Sequence, residues 1–209
     1  MKLNSIETAQ PTLQLKELID MPPAQKTTFP VGTGVLHWQT RSGIPVKIRH
    51  ITADDAPLLV EMYGRLSERT LALRFATVVI NVPIERVIQE ATHLATLNPE
   101  NADALVALID EGGQEHIIAV ARLAGADAVS AEFAMTVRDD FQGQGVGAYM
   151  FDLLIQVALV HGLEYLTASV LAENRPMMDL IRRSGFPVEV HTSHGESEVK
   201  VFLTERPEH

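Results

Sequence analysis

An α/β (α+β) fold, with a mixed, mostly antiparallel central sheet flanked by helices, is predicted from three features of the sequence. Short apolar runs of strand length are joined by tight turns in the first half, helical apolar stripes lie between them, and a strand, turn, helix and strand follow one another in the second half. The 209 residues are 46% hydrophobic and 21% charged, enough to close a core around such a sheet. The absence of Cys removes disulfides, thiolate metal sites and a cysteine nucleophile, and fits a reducing compartment, the cytoplasm. A net charge of −10 repels nucleic acid and anionic lipid and favours basic partners, so neither nucleic acid nor membrane is expected as a partner. No apolar run in Met1–Pro30 is long enough for a signal peptide or a membrane span.

Residues 1–33 mix Pro11, Pro22, Pro23, Pro30 and Gly32 with polar residues and read as an irregular arm; residues 34–206 form the folded domain. It opens with a hairpin, Val35–Thr40 and Ile44–Ile51 around Arg41-Ser42-Gly43, with Pro45 placing the start of the second strand at an edge. Thr52 caps a helix whose stripe is Leu58, Leu59, Met62, Tyr63 and Leu66. A short helix follows from Ser67 to Phe75, and Pro83 opens a third with Ile84, Val87, Ile88 and Ala91 inward. Ala104–Ile109 and Ile117–Leu123 are strands joined by the turn Glu111-Gly112-Gly113-Gln114. Val129–Val137 is a strand, Ala148–His161 a helix stopped by Gly162, Leu166–Leu171 a strand, and Asn174–Arg183 a helix stopped by Gly185; Pro187–His191 and Glu198–Leu203 are the last strands.

Between strand and helix lies Gln142-Gly143-Gln144-Gly145-Val146-Gly147. Glycines at alternate positions where a strand runs into a helix let the backbone approach an anion, converge several N–H groups on it, and add the helix dipole, which makes a phosphate-binding loop. A methyltransferase or dinucleotide site would place such a loop after the first strand of a parallel sheet and an acidic residue at the end of the next, and neither holds. His191 and His194 form a loop pair without carboxylate support, so no metal is expected there. Asp139 and Asp140 read as solvated neighbours, Met177 and Met178 as core, and Trp38 as a packing residue of the hairpin.

Taken as Gln142-x-x-Gly145-x-Gly147 between an apolar strand and an amphipathic helix, this segment resembles the acyl-CoA pyrophosphate loop of the GNAT N-acetyltransferase superfamily. Asn174, the later Gly185-Phe186, and the order of elements from Val46 to Leu203 are similar to that superfamily as well. Val46–Arg49, Leu66–Phe75 and Ala131–Gly143 look most like its bacterial protein lysine acetyltransferases.

The resemblance implies a sheet splayed at the acyl-CoA site and direct acetyl transfer from acetyl-CoA, as cosubstrate and without a metal, to an amine borne by a lysine of a protein. A small amine, polyamine or antibiotic as acceptor, or a non-catalytic acyl-CoA sensor, are the alternatives; a homodimer is left open. It further implies that Glu132 is the general base, that the strand backbone at Met135, Thr136 and Val137 binds the pantetheine arm, that Gln142, Gly143, Gln144, Gly145, Val146 and Gly147 hold the pyrophosphate with Ala148 extending the contact, and that Asn174 meets the pantetheine or the acceptor. By alternation Glu132, Ala134 and Thr136 share one face of their strand opposite Phe133, Met135 and Val137, unless a bulge shifts it. The Tyr that many members use to protonate the departing thiolate has no counterpart at Leu180-Ile181.

Overall fold

The computed structural model of the chain describes residues 34–75, 83–96, 102–125 and 127–204. The arm expected over residues 1–33 lies outside them. Eight strands form one sheet in the order β1-β2-β3-β4-β5-β6-β8-β7. They are β1 (Leu36–Gln39), β2 (Pro45–His50), β3 (Ala102–Glu111), β4 (Gln114–Gly125), β5 (Ser130–Val137), β6 (Tyr165–Leu171), β7 (Val188–Ser193) and β8 (Glu196–Phe202). Every pairing is antiparallel except β5 with β6. The described helices are α1 (Ala56–Gly64), α2 (Glu68–Phe75), α3 (Ile84–Ala95), α4 (Val146–Val160) and α5 (Arg175–Arg182).

Each face of the sheet carries its own apolar layer. On one, Met150, Phe151 and Leu154 of α4 and Met178 and Ile181 of α5 pack on Leu105, Phe133 and Leu166 of the strands. On the other, Leu59, Met62 and Tyr63 of α1 and Ala91 and Leu94 of α3 pack on Val106, Leu108, Ile117 and Val120. A bulge in β4 moves the pairing from Ala107↔Ala119 to Leu108↔Ile117, so Ile118 and Ala119 both turn to the α4 side while Ile117 and Val120 face α1 and α3. The ladder of β4 with β5 runs unbroken from Ala119↔Val137 to Gly125↔Ala131, and the alternation expected for Glu132, Ala134 and Thr136 stands unshifted.

Several expectations are corrected. β2 lies inside the sheet between β1 and β3, and Pro45 is tolerated because it is the first residue of the strand, paired on the β1 side alone. Ile84 and Ile88 of α3 are exposed, since the buried stripe runs through Val87, Ala91, Leu94 and Ala95 instead. α4 begins at Val146, two residues before Ala148, because Gly145 with φ 90° serves as its N-cap. Thr52 opens a 3-10 turn, Ala53–Asp55, before α1; the buried Asp55 carboxylate accepts from the Thr52 N–H (2.7 Å) and from both Nη atoms of Arg49 (2.7 Å each). Met178 is core as expected, whereas Met177 is partly buried and faces a cavity.

Candidate functional site

β5 and β6 pair only over Ser130↔Tyr165, Ala131↔Leu166 and Glu132↔Thr167, and beyond that they diverge. The backbone shows what the divergence exposes. The Arg138 N–H donates to Ile118 O of β4 (2.8 Å), so by the antiparallel alternation residues 132, 134 and 136 turn their backbone groups to β4, while 133, 135 and 137 turn theirs to the gap. Met135 and Val137 therefore present ladder groups toward a strand that is not there. Gln142 Nε2 takes the Val137 carbonyl (3.1 Å), and the Val137 N–H and both groups of Met135 are left to the gap. Thr136 spends its backbone on β4; its buried Oγ1 makes no hydrogen bond and lines the cavity on the α1–α3 side.

The cavity in this gap holds about 780 Å³, within the range of small-molecule sites. The glycine loop closes one end of it. Gly143 (φ 72°) and Gly145 (φ 90°) adopt the left-handed backbone that favours glycine, and a Cβ on Gly145 would stand 3.4 Å from the Trp38 ring. Directly after the loop comes the first turn of α4, whose N–H groups have no intrahelical partner and which carries no acidic side chain to compensate the dipole. Trp38 is a packing residue as expected, stacked on Tyr149 of α4 with centroids 4.9 Å apart.

Of the expected site residues, Glu132, Met135, Thr136, Val137, Gln142, Gly143, Gly145, Gly147, Ala148 and Asn174 border this one cavity. Gln144 and Val146 do not. Val146 is buried among the core residues of α4, which leaves it only a backbone N–H to offer, and the Gln144 carbonyl is taken by the Arg41 N–H (3.0 Å). Gln142 braces the loop rather than reaching out, since its amide also donates to Thr70 Oγ1 of α2 (3.2 Å). Asn174 is the N-cap of α5, its Oδ1 accepting from the Met177 N–H (3.2 Å), which leaves its amide NH₂ free of the cap at the border of the cavity.

Asp139 is not a merely solvated carboxylate. It accepts from the Ser67 N–H (2.8 Å), Ser67 Oγ (2.6 Å) and Thr70 Oγ1 (2.7 Å), tying the start of α2 to the end of β5. Burial acts to raise its pKa, but these hydrogen bonds outweigh it and hold Asp139 below the ordinary carboxylate range. Asp140 grips the buried Arg138 guanidinium at 2.7 and 2.9 Å, and Glu111 takes it from the other side at 2.8 Å. The turn from β5 into the loop is thereby fixed.

Glu132 stands on the α1–α3 face beside Ala134, its side chain 55% exposed, with Arg122 Nη2 3.8 Å away. Around it the structure places residues that the sequence pattern did not single out: Arg122 on β4, Arg74 on α2, and Arg86 and Glu90 on α3 all line the same cavity, and Arg41 lines it at the loop. A signal existed for Arg122, which interrupts the apolar run Ile117–Leu123. The others come from separate elements and carry no spacing to find. Leu180, where a thiolate-protonating Tyr was found missing, borders the cavity, and Ile181 is buried.

Comparison with known proteins agrees with this geometry. The family model of the acetyltransferase (GNAT) domain matches residues 46–187. The chain is 30% identical over 149 residues to acetyltransferase Pat of Mycolicibacterium smegmatis, covering 70% of this chain but 43% of that protein. It is 29% identical over 153 residues to acetyltransferase PA5475 of Pseudomonas aeruginosa, covering 72% of this chain and 80% of the relative. The GNAT domain of S. lividans PAT superposes with a TM-score of 0.67 at 25% identity, over 80% of this chain and 96% of the other. The eight-stranded, mostly antiparallel sheet of this chain, with its flanking helices, is the architecture expected from the sequence. With the family model matched over more than half of its length, the chain belongs to the GNAT family of acetyltransferases.

Proposed function

We propose that this chain transfers an acetyl group directly from acetyl-CoA to an amine, with Glu132 as general base and a lysine of a protein as the acceptor. The observation that carries the reading is the gap itself: unpaired backbone of β5 runs into a glycine loop and an uncompensated helix N-terminus, and the Glu132 carboxylate borders the same cavity. The pantetheine amides would hydrogen-bond to Met135 and Val137 as a missing strand would, the Asn174 NH₂ would meet the same arm, and the loop N–H groups would take the pyrophosphate. Resemblance to the bacterial lysine acetyltransferases is what favours lysine, and the site takes no metal in this reading.

The chemistry sets a demand on Glu132. An alkyl ammonium has a pKa of about 10.4, so presenting the neutral amine near pH 7.4 costs about 4 kcal/mol. Glu132, directly or through one water, takes that proton. The amine lone pair then attacks the thioester carbonyl carbon, the C–N bond forms as the C–S bond breaks, and the nitrogen gives up its second proton to solvent, while the first returns from Glu132 to solvent. The sulfur leaves as a thiolate of pKa about 8.5, which solvent can protonate without a dedicated acid. Glu132→Gln should lower kcat on the order of 10²–10⁴-fold, with acetyl-CoA still raising the melting temperature. Unchanged turnover in that variant would remove Glu132 from the mechanism. Stabilisation by acetyl-CoA with no transfer to any amine by the wild type would instead support an acyl-CoA sensor.

A further inference from the structure

The cavity has two ends of different character, and the second is cationic in a chain of net charge −10. β5 leads from Glu132 toward the loop, and Arg122 sits opposite Ala134 on the Glu132 face. On α2, Thr70 touches Gln142 of the loop, and Arg74 lies one turn farther from it. Arg86 and Glu90 join from α3. Away from the loop, three arginines thus line the cavity that Glu132 borders, against two carboxylates, Glu132 and Glu90.

Their pairing leaves a surplus of positive charge. Glu90 is engaged by Arg74 at 3.3 Å. The nearest carboxylate oxygen to Arg122 is that of Glu132, too far for a hydrogen bond at 3.8 Å, and Arg122 Nε is buried without a hydrogen-bond partner in the protein. Arg86 is exposed and stands in no ion pair among the described residues. An unpartnered buried N–H is costly, and a guanidinium satisfies it best with a carboxylate or phosphate. An amine that enters as a bare cation meets repulsion here instead.

We infer that this end of the cavity is an anion subsite of the acceptor: the amine that is acetylated carries its own carboxylate or phosphate within reach of Arg122 and Arg86. The inference rests on the reading of Glu132 and the gap given above. It selects among acceptors. A lysine flanked by acidic residues, or a small amino compound bearing a carboxylate, fits; a polyamine does not.

The full chain would be assayed with acetyl-CoA against lysine peptides with Glu, Gly or Arg flanks, and against free amino acids paired with their carboxamides. The anionic member of the series that is used should exceed its neutral counterpart in kcat/KM by about tenfold, the factor of one charge-assisted hydrogen bond, and mainly through KM. Which series responds identifies the source of the anion. Arg122→Gln and Arg86→Glu should each reduce the ratio, and Arg86→Glu, on an exposed position, should shift preference toward Arg-flanked peptides while the melting temperature holds. Equal kcat/KM within every matched pair, or a ratio unmoved in both folded variants, overturns the inference. If acetyl-CoA stabilises the wild type and only neutral or cationic acceptors are acetylated, the inference fails alone. If acetyl-CoA does not bind, the reading beneath it fails first.

Discussion

Arg41 Nη1 donates to the Gly143 carbonyl (3.2 Å) while the Arg41 N–H donates to the Gln144 carbonyl, so a turn far from the loop in sequence is stitched to it twice. A glycine loop offers dipoles but no full charge, and this guanidinium supplies one at its rim. Arg41→Gln should weaken acetyl-CoA binding by about fivefold in calorimetry, the limit set by its exposure, and leave the affinity for acetyl-pantetheine, which lacks phosphates, unchanged. Equal losses on both ligands would make the side chain structural only. At this scale the sequence was uneven. Gly143, Gly145 and Asn174 declare themselves because backbone conformation and capping restrict which residues can stand there. Arg41, Arg74 and Arg86 do not, because a long cation in a turn or on a helix surface is ordinary until the fold brings it to a cavity.

The junction from β2 to α1 shows how an element is held by one buried charge. Burial acts to raise the pKa of Asp55, but its bonds from Arg49 and Thr52 outweigh that and hold it below the usual carboxylate range. A carboxyl whose folded pKa is depressed stabilises the fold above its unfolded value of about 3.9, and that contribution is lost as pH falls through the folded pKa. Asp55→Asn should cost about 2 kcal/mol in denaturant unfolding at pH 7, with the difference from wild type shrinking on acidification below about pH 4. A difference constant across that range would remove the ion pair as its source. Helix and strand identities were readable from periodicity because each buries one face. The exposed Ile84 and Ile88 were misassigned because residues four apart on α3 define a stripe without saying which of two apolar stripes faces the sheet.

The whole molecule is a sheet joined at its middle by a short seam. Only Ser130–Glu132 and Tyr165–Thr167 pair across it, whereas β3 and β4 pair along ten register positions. Saturating acetyl-CoA should slow amide exchange at Met135 and Val137 by up to about 100-fold when present at about 100 times its Kd, and leave Leu105–Ala107 of β3 nearly unaffected. Uniform protection of both strands would mean that the ligand acts on global unfolding and not at the gap. The splayed pair was legible only through family resemblance, since nothing in the composition of β5 or β6 says where their hydrogen bonds stop. The hairpin β1–β2 was legible, but its task of bracing the loop was not; β1, Trp38 and Arg41 all precede the residues matched by the family model.

That seam divides the sheet into two halves, β1–β5 and β6–β8–β7, joined in the backbone by three ladder pairs and the Glu164 N–H bond to the Val129 carbonyl (2.7 Å), and beneath them by the core that α4 and α5 build. A ligand lying along both edges would act as a rivet, so that holding the cosubstrate and holding itself together become one property of the protein. Spent CoA, sharing every part of the cosubstrate except the acetyl group, would then be at once the product to be released and the clasp whose release loosens the fold.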